Sequence, residues 1–228
     1  MLKEYALLAL LWAAYCAAHS TLITVPVTGF FRRVSGDGFR FYRLLFNIFS
    51  LGTLVPLVSY SHSNRWSTAL IFAWDGSLRG VQWAFVAVAV LLVIAGARHY
   101  SLLQFLGIRQ LRRDGGRGAM TESGEFDCSG VLGLVRHPWY TAVFLFLWAR
   151  DFNFAGFTVN VVLSAYLVVG TILEERKLIL EFGDRYREYQ DRVSMFVPLK
   201  WILRLGNRRT EKAGSRAGNA NSRKEILR

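Results

Sequence analysis

GVQWAFVAVAVLLVIAGA, residues Gly80–Ala97, is a run of 18 residues without one Asp, Glu, Lys or Arg. As a helix it would measure about 27 Å at 1.5 Å per residue, close to the thickness of a bilayer's hydrocarbon core. Its one amide, Gln82, sits near an end. Four further uncharged stretches flank it: Tyr5–Phe31 with 27 residues, Leu44–Asn64 with 21, His137–Ala149 with 13 and Phe152–Leu173 with 22. Four of the five are long enough to cross a membrane. His137–Ala149 is short, so it either runs on past Arg150 and Asp151 or turns back early as half of a hairpin with the fifth stretch. The pattern predicts an all-α integral membrane protein of about five transmembrane helices, the last two a hairpin.

Composition agrees. Of 228 residues, 53% are hydrophobic and 19% charged, while soluble domains run at about 45–50% and about 25%. Such a chain is neither disordered nor an ordinary soluble enzyme. Cys16 and Cys128 cannot build a disulfide framework and have no zinc-like spacing, so no metal site is expected. The first stretch begins after Lys3, as a signal peptide would, but its apolar run continues to Phe31 and reads as a retained helix.

The net charge of +12 suits either a nucleic-acid binder or a membrane protein with basic flanks, and the distribution decides. With the N-terminus outside, the inner segments 32–40, 98–136 and 174–228 hold 23 of the 28 Lys/Arg, and the outer ones hold 4. The positive-inside rule therefore predicts N-out and C-in, with the lipid bilayer and not nucleic acid as partner. The loop 98–136 carries a basic cluster, Arg109, Arg112, Arg113 and Arg117, and reads as a solvated loop near anionic headgroups. Residues 206–228 are rich in Gly, Asn, Arg and Ser and read as a disordered basic cytoplasmic tail behind a helical domain over 1–205.

Between them, Leu178, Phe182, Tyr186, Tyr189, Val193 and Phe196 recur at steps of four and three among charged residues. That is an amphipathic interfacial helix over Glu174–Pro198. Its opening pair, Glu174-Glu175, is poorly placed at a basic inner boundary. Either the helix continues, with Arg176 and Lys177 offsetting the charge, or the pair is a site for a cationic ligand. Arg136-His137-Pro138-Trp139-Tyr140 opens the fourth stretch, with proline suited to a first helical turn and His137 and Tyr140 spaced to share a face. It reads either as an aromatic interface belt or as part of a site. Within the bilayer, His19, Arg43 and Asn47 are costly enough to be candidates for a substrate site; the alternative for His19 is a neutral ring bonded to a neighbouring helix.

Taken in order, Val135-Arg136-His137-Pro138-Trp139-Tyr140, an apolar hairpin, Glu174-Glu175-Arg176, Phe182-Gly183-Asp184-Arg185-Tyr186-Arg187-Glu188-Tyr189 and Pro198 resemble the isoprenylcysteine carboxyl methyltransferase and phospholipid methyltransferase group of membrane enzymes. The likeness covers 130–198. Ala18-His19-Ser20 and Tyr42-Arg43-Leu44-Leu45-Phe46-Asn47 are similar to the bacterial branch near NnrU-like proteins and methanethiol S-methyltransferases. The resemblance implies methyl transfer from S-adenosylmethionine to a small or lipophilic acceptor (carboxylate, thiol or amine) at the cytoplasmic membrane face. By position, His137 and Tyr140 would line the cofactor pocket, and Glu174 and Glu175 would hold its ammonium. A general base is not singled out; His19 and His137 are both candidates.

The chain departs from the group's usual Gly-Pro-Tyr-Arg-Tyr at Gly130-Val131-Leu132-Gly133-Leu134, and its loop 121–129 is acidic. These changes bear on substrate and adenine contacts more than on reaction class. Two alternatives share parts of the pattern: an NADPH-dependent sterol-reductase-like enzyme, which would need arginine clamps for the extra phosphate, and a non-catalytic NnrU-like membrane protein.

Overall fold

The computed structural model describes residues 2–66, 68–97 and 128–205; the basic cluster Arg109–Arg117 and the expected tail over 206–228 lie outside the described residues. The helices are α1 (Leu2–Leu22), α2 (Val25–Ser35), α3 (Tyr42–Ser61), α4 (Leu78–Ala97), α5 (Pro138–Trp148), α6 (Phe154–Phe182) and α7 (Asp184–Arg192). Among the described residues the only strand-like pairing is two isolated bridges, Phe72 with Phe152 and Val135 with Ser194.

Four helical segments are long and apolar enough to cross a membrane: α1, the joined run Val25–Ser61, α4 and α6, with α5 as a shorter apolar fifth. Large apolar side chains face outward along all four, including Leu10, Leu51, Leu91 and Val169. In water such a surface would aggregate; in a bilayer it is the solvated surface. This is the multi-pass all-α membrane architecture that the uncharged stretches predict.

Two breaks depart from that expectation. Tyr5–Phe31 is not one helix. Pro26 stands in the first turn of α2 and has no N–H to bond the carbonyl four residues back, so α1 cannot run on through it and the chain turns at Ile23-Thr24, with Thr24 extended at φ −69°, ψ 151°. The amphipathic run Glu174–Pro198 is not one helix either. α6 carries on past Glu174 to Phe182, Gly183 breaks it at φ +60°, and α7 ends at Arg192, well before Pro198.

α5 resolves the short fourth stretch as a hairpin half that turns back early. Its last carbonyls would otherwise be orphaned. Gln82 donates to Ala149 O (3.1 Å), Trp74 Nε1 to Trp148 O (3.1 Å) and Asn160 to Leu147 O (2.9 Å). Asp151 accepts from the Trp74 amide (2.9 Å), and Asn153 caps α6 by accepting from the Gly156 amide (2.9 Å). Beneath this closed end, Leu8, Trp12, Trp66, Ala155 and Val159 form the core joining α1 and α6, with Leu54 and Leu57 of α3 packed on it. At the opposite end Leu178, Tyr186, Tyr189 and Val193 fold α7 back onto α6.

Candidate functional site

The segment leading into α5 sets the geometry of the site. Val135 pairs in parallel with Ser194, and the Arg136 and His137 amides donate to Ser194 O (2.9 Å) and Met195 O (3.2 Å). Pro138 then starts α5 without an N–H to satisfy. His137 stays outside the helix at φ −124°, ψ 67°, with its ring beside the end of α6 that carries the two glutamates.

Glu175 is buried and fully engaged. Oε1 accepts from Arg136 Nε (2.6 Å) and lies 3.1 Å from His137 Nε2; Oε2 accepts from Arg136 Nη2 (3.2 Å) and Gln190 Nε2 (2.7 Å). Arg136 spends its remaining reach on backbone, donating through Nη1 to Gln190 O (3.1 Å) and Val193 O. Lys200 Nζ also donates to Gln190 O (2.7 Å), and Tyr189 donates to Leu132 O (2.6 Å). One carboxylate thereby joins α6, the start of α5, α7 and the chain after it. Burial, reinforced by the Glu175 charge, pushes the Tyr186 phenol well above its ordinary value.

Glu174 is different. Its side chain is 34% exposed, yet Oε2 is shielded from solvent and has no hydrogen-bond partner among the described residues. His137 Nδ1 lies 3.8 Å from it, too far for a hydrogen bond. Tyr140 stacks on the His137 ring with centroids 5.5 Å apart and planes 7° from parallel. Phe196 approaches the same ring at 6.4 Å, held by Thr141 Oγ1 donating to its carbonyl (3.2 Å). The four residues expected around a cofactor thus come together.

His19, Arg43 and Asn47 lie elsewhere, on α1 and α3. His19, in the last turn of α1, places Nδ1 3.2 Å from Ser50 Oγ of α3 and packs on Phe46 at 4.9 Å. Arg43, Asn47 and Ser50 share a face of α3 by their spacing. Ser20 donates to Tyr166 of α6 (3.0 Å). Tyr166 and Glu174 are eight residues apart, so this cluster sits roughly 12 Å along α6 from the glutamates. An apolar groove of about 420 Å³ between α1 and α3, lined by Leu11, Tyr15, Ala18, Phe49, Thr53 and Tyr60, runs up to it. A larger cleft of about 620 Å³, between Gly133, α7 and Arg204, is lined by Arg185 and Arg192 and by none of the four expected cofactor residues.

Sequence reasoning gave no role to Arg136, although it quoted it, and missed Gln190, Thr141 and Phe196. Arg136 gave no usable signal, because the carboxylate it meets is 39 residues away. Gln190 offered none, since its role arises only when α7 folds back on α6.

The chain is similar over part of its length to curated bacterial proteins named methanethiol S-methyltransferase. That of Pseudomonas deceptionensis is 33% identical over 117 residues, covering 51% of this chain and 42% of the relative. That of Pseudomonas sp. strain GM41 is 32% identical over 154 residues, covering 66% and 54%. Methanethiol S-methyltransferase 1 of Bradyrhizobium diazoefficiens is 46% identical over 65 residues, covering 28% and 23%. The chain spans about half the length of the first two. No family model and no solved structure matches it. These homologues support the bacterial branch that the N-terminal residues resemble.

Proposed function

We propose that the protein is a membrane methyltransferase that uses S-adenosylmethionine to methylate the sulfur of a small thiol. The observation that carries this reading is the shielded Oε2 of Glu174, without a partner among the described residues, facing a stacked His137–Tyr140 pair. A carboxylate oxygen out of water without a donor is costly unless a cation completes it. The ammonium of S-adenosylmethionine is such a cation, and the face of Tyr140 suits its sulfonium. The relatives, each named for methyl transfer to methanethiol, favour a thiol over a carboxylate or amine acceptor.

When bound, S-adenosylmethionine would supply an electrophilic methyl group: a thiolate would bond its carbon in line as the bond to the sulfonium sulfur breaks, giving a thioether and S-adenosylhomocysteine. Glu174, His137 and Tyr140 bind and orient one side of this reaction, which gains most of its rate from alignment. Glu175 serves the site from behind, since both its oxygens are already occupied. The acceptor side is assigned to His19, Arg43 and Asn47. His19 Nδ1 is steadied by Ser50, which leaves Nε2 to take the thiol proton. The α1–α3 groove admits a small apolar thiol from the bilayer. The N-terminus lies outside and the glutamate end of α6 faces the cytoplasm, where the cofactor resides, as the charge distribution favours. Residues 1–205 act as one domain and 206–228 as a dispensable tail.

The test is incubation of the full chain in lipid nanodiscs with methyl-labelled S-adenosylmethionine and methanethiol, with labelled dimethyl sulfide measured in the headspace. NADPH is titrated alongside, because the arginine-lined cleft is what a reductase's phosphate would need. Tight NADPH binding with no methyl transfer would overturn the proposal.

A further inference from the structure

The contacts of Glu175 fix a hydrogen position on its neighbour. A carboxylate bonded through both oxygens to one guanidinium is ionised and can only accept. The ring nitrogen facing it, His137 Nε2, must then carry the hydrogen. In the neutral imidazole this leaves a lone pair on Nδ1, the nitrogen turned toward Glu174 Oε2. Two acceptors face one another across 3.8 Å, one of them shielded and without a donor. That gap is complementary to an N–H donor on a cation and repels another acceptor.

The arrangement depends on how the Glu175 carboxylate is turned, and Arg136 grips Oε1 at 2.6 Å but Oε2 only at 3.2 Å. Gln190 of α7 grips the same carboxylate from the far side. Its side-chain amide donates to Oε2 at 2.7 Å, while its backbone carbonyl accepts from Arg136 Nη1 and Lys200 Nζ. The Gln190 side chain therefore touches the anion, and its backbone carbonyl meets the two cations.

We propose that Gln190 is a positioning residue that holds the Glu175 carboxylate so that His137 keeps its hydrogen on Nε2 and offers Nδ1, beside Glu174, as an acceptor for the cofactor's ammonium. The identity of the cation rests on the S-adenosylmethionine reading; the tautomer does not. Among the described residues, the charged and titratable groups placed against His137 and its partners are Arg136, Glu174, Glu175 and Tyr140.

The experiment is nitrogen-15 NMR of the full chain in nanodiscs, labelled at histidine, with His137 assigned by its loss in His137→Asn. In the wild type with its imidazole neutral, Nε2 is expected to be protonated and Nδ1 bare. In Gln190→Leu the two tautomers are expected to mix, and S-adenosylmethionine affinity to fall about tenfold, the low end for losing a charged hydrogen bond. A hydrogen on Nδ1 in the wild type overturns the proposal, and so does a Gln190→Leu spectrum identical to wild type. If Gln190→Leu fails to fold, the wild-type tautomer decides. An Nε2–H tautomer in a protein that binds no S-adenosylmethionine would sink the methyltransferase reading and leave the positioning role intact.

Discussion

Replacing Glu174 by glutamine separates a ligand-holding carboxylate from a structural one. The change keeps size and removes the charge on the shielded Oε2. A hydrogen bond to a charged group contributes about 1.5–3 kcal/mol, or roughly 10- to 150-fold in affinity. Glu174 is 34% exposed, and water screens part of the effect, so the low end applies: Kd for S-adenosylmethionine should rise about tenfold. Stability should hardly move, since Oε2 has no partner within the described protein to lose. Glu175→Gln should behave in the opposite order. It strands the buried Arg136 guanidinium, and breaking a buried ion pair costs about 3–5 kcal/mol. Calorimetric titration in nanodiscs, paired with thermal unfolding of each variant, reads both quantities. Unchanged affinity in a folded Glu174→Gln variant would refute the reasoning, as would a Glu175→Gln variant as stable as wild type.

Other consequences follow from single contacts. Gly183→Ala should lose about 1–3 kcal/mol on unfolding, and from backbone strain alone, because φ is +60° while a Cβ there would meet open space. Gly96→Ala should drive a methyl into the Trp139 indole, which donates to Val93 O (3.2 Å); a loss of about 1–3 kcal/mol is expected, largely recovered when Trp139→Phe is added. A reporter active only outside the cell, fused after Arg228, should be silent, and strong signal would overturn the orientation. Deletion of 206–228 should leave methyl transfer within about twofold of wild type while weakening binding to anionic vesicles; lost turnover would show that the tail is needed.

What the sequence disclosed follows from how each feature is encoded. A bilayer demands contiguous apolar residues, so α4 and the apolar part of α6 stand out as uncharged runs. The breaks at Thr24-Val25-Pro26 and Gly183 were also written in the chain, but counting charges ignores proline and glycine. The hairpin cap was hidden because its parts are distant: Asn160 and Trp74 reach Leu147 and Trp148 only once α4, α5 and α6 are packed. Arg136 and Gln190 were hidden for the same reason, since the carboxylate they share is 39 and 15 residues away.

The glutamate pair shows where a motif stops short of a geometry. Read as two letters, Glu174-Glu175 invites one role, a double carboxylate for one ammonium. At 3.6 residues per turn, however, neighbours on a helix point about 100° apart and cannot face the same atom. The helix continues through the pair, so the two side chains must divide. Glu175 turns inward, where Arg136 neutralises it and Gln190 bonds it; Glu174 turns toward His137 Nδ1, where nothing among the described residues does. Both lie against one imidazole, on different nitrogens. The carboxylate on Nε2 sets where the hydrogen sits, and that choice makes Nδ1 and the other carboxylate a matched pair of acceptors. Adjacent identical residues thus take complementary parts because the helix keeps them from taking the same one.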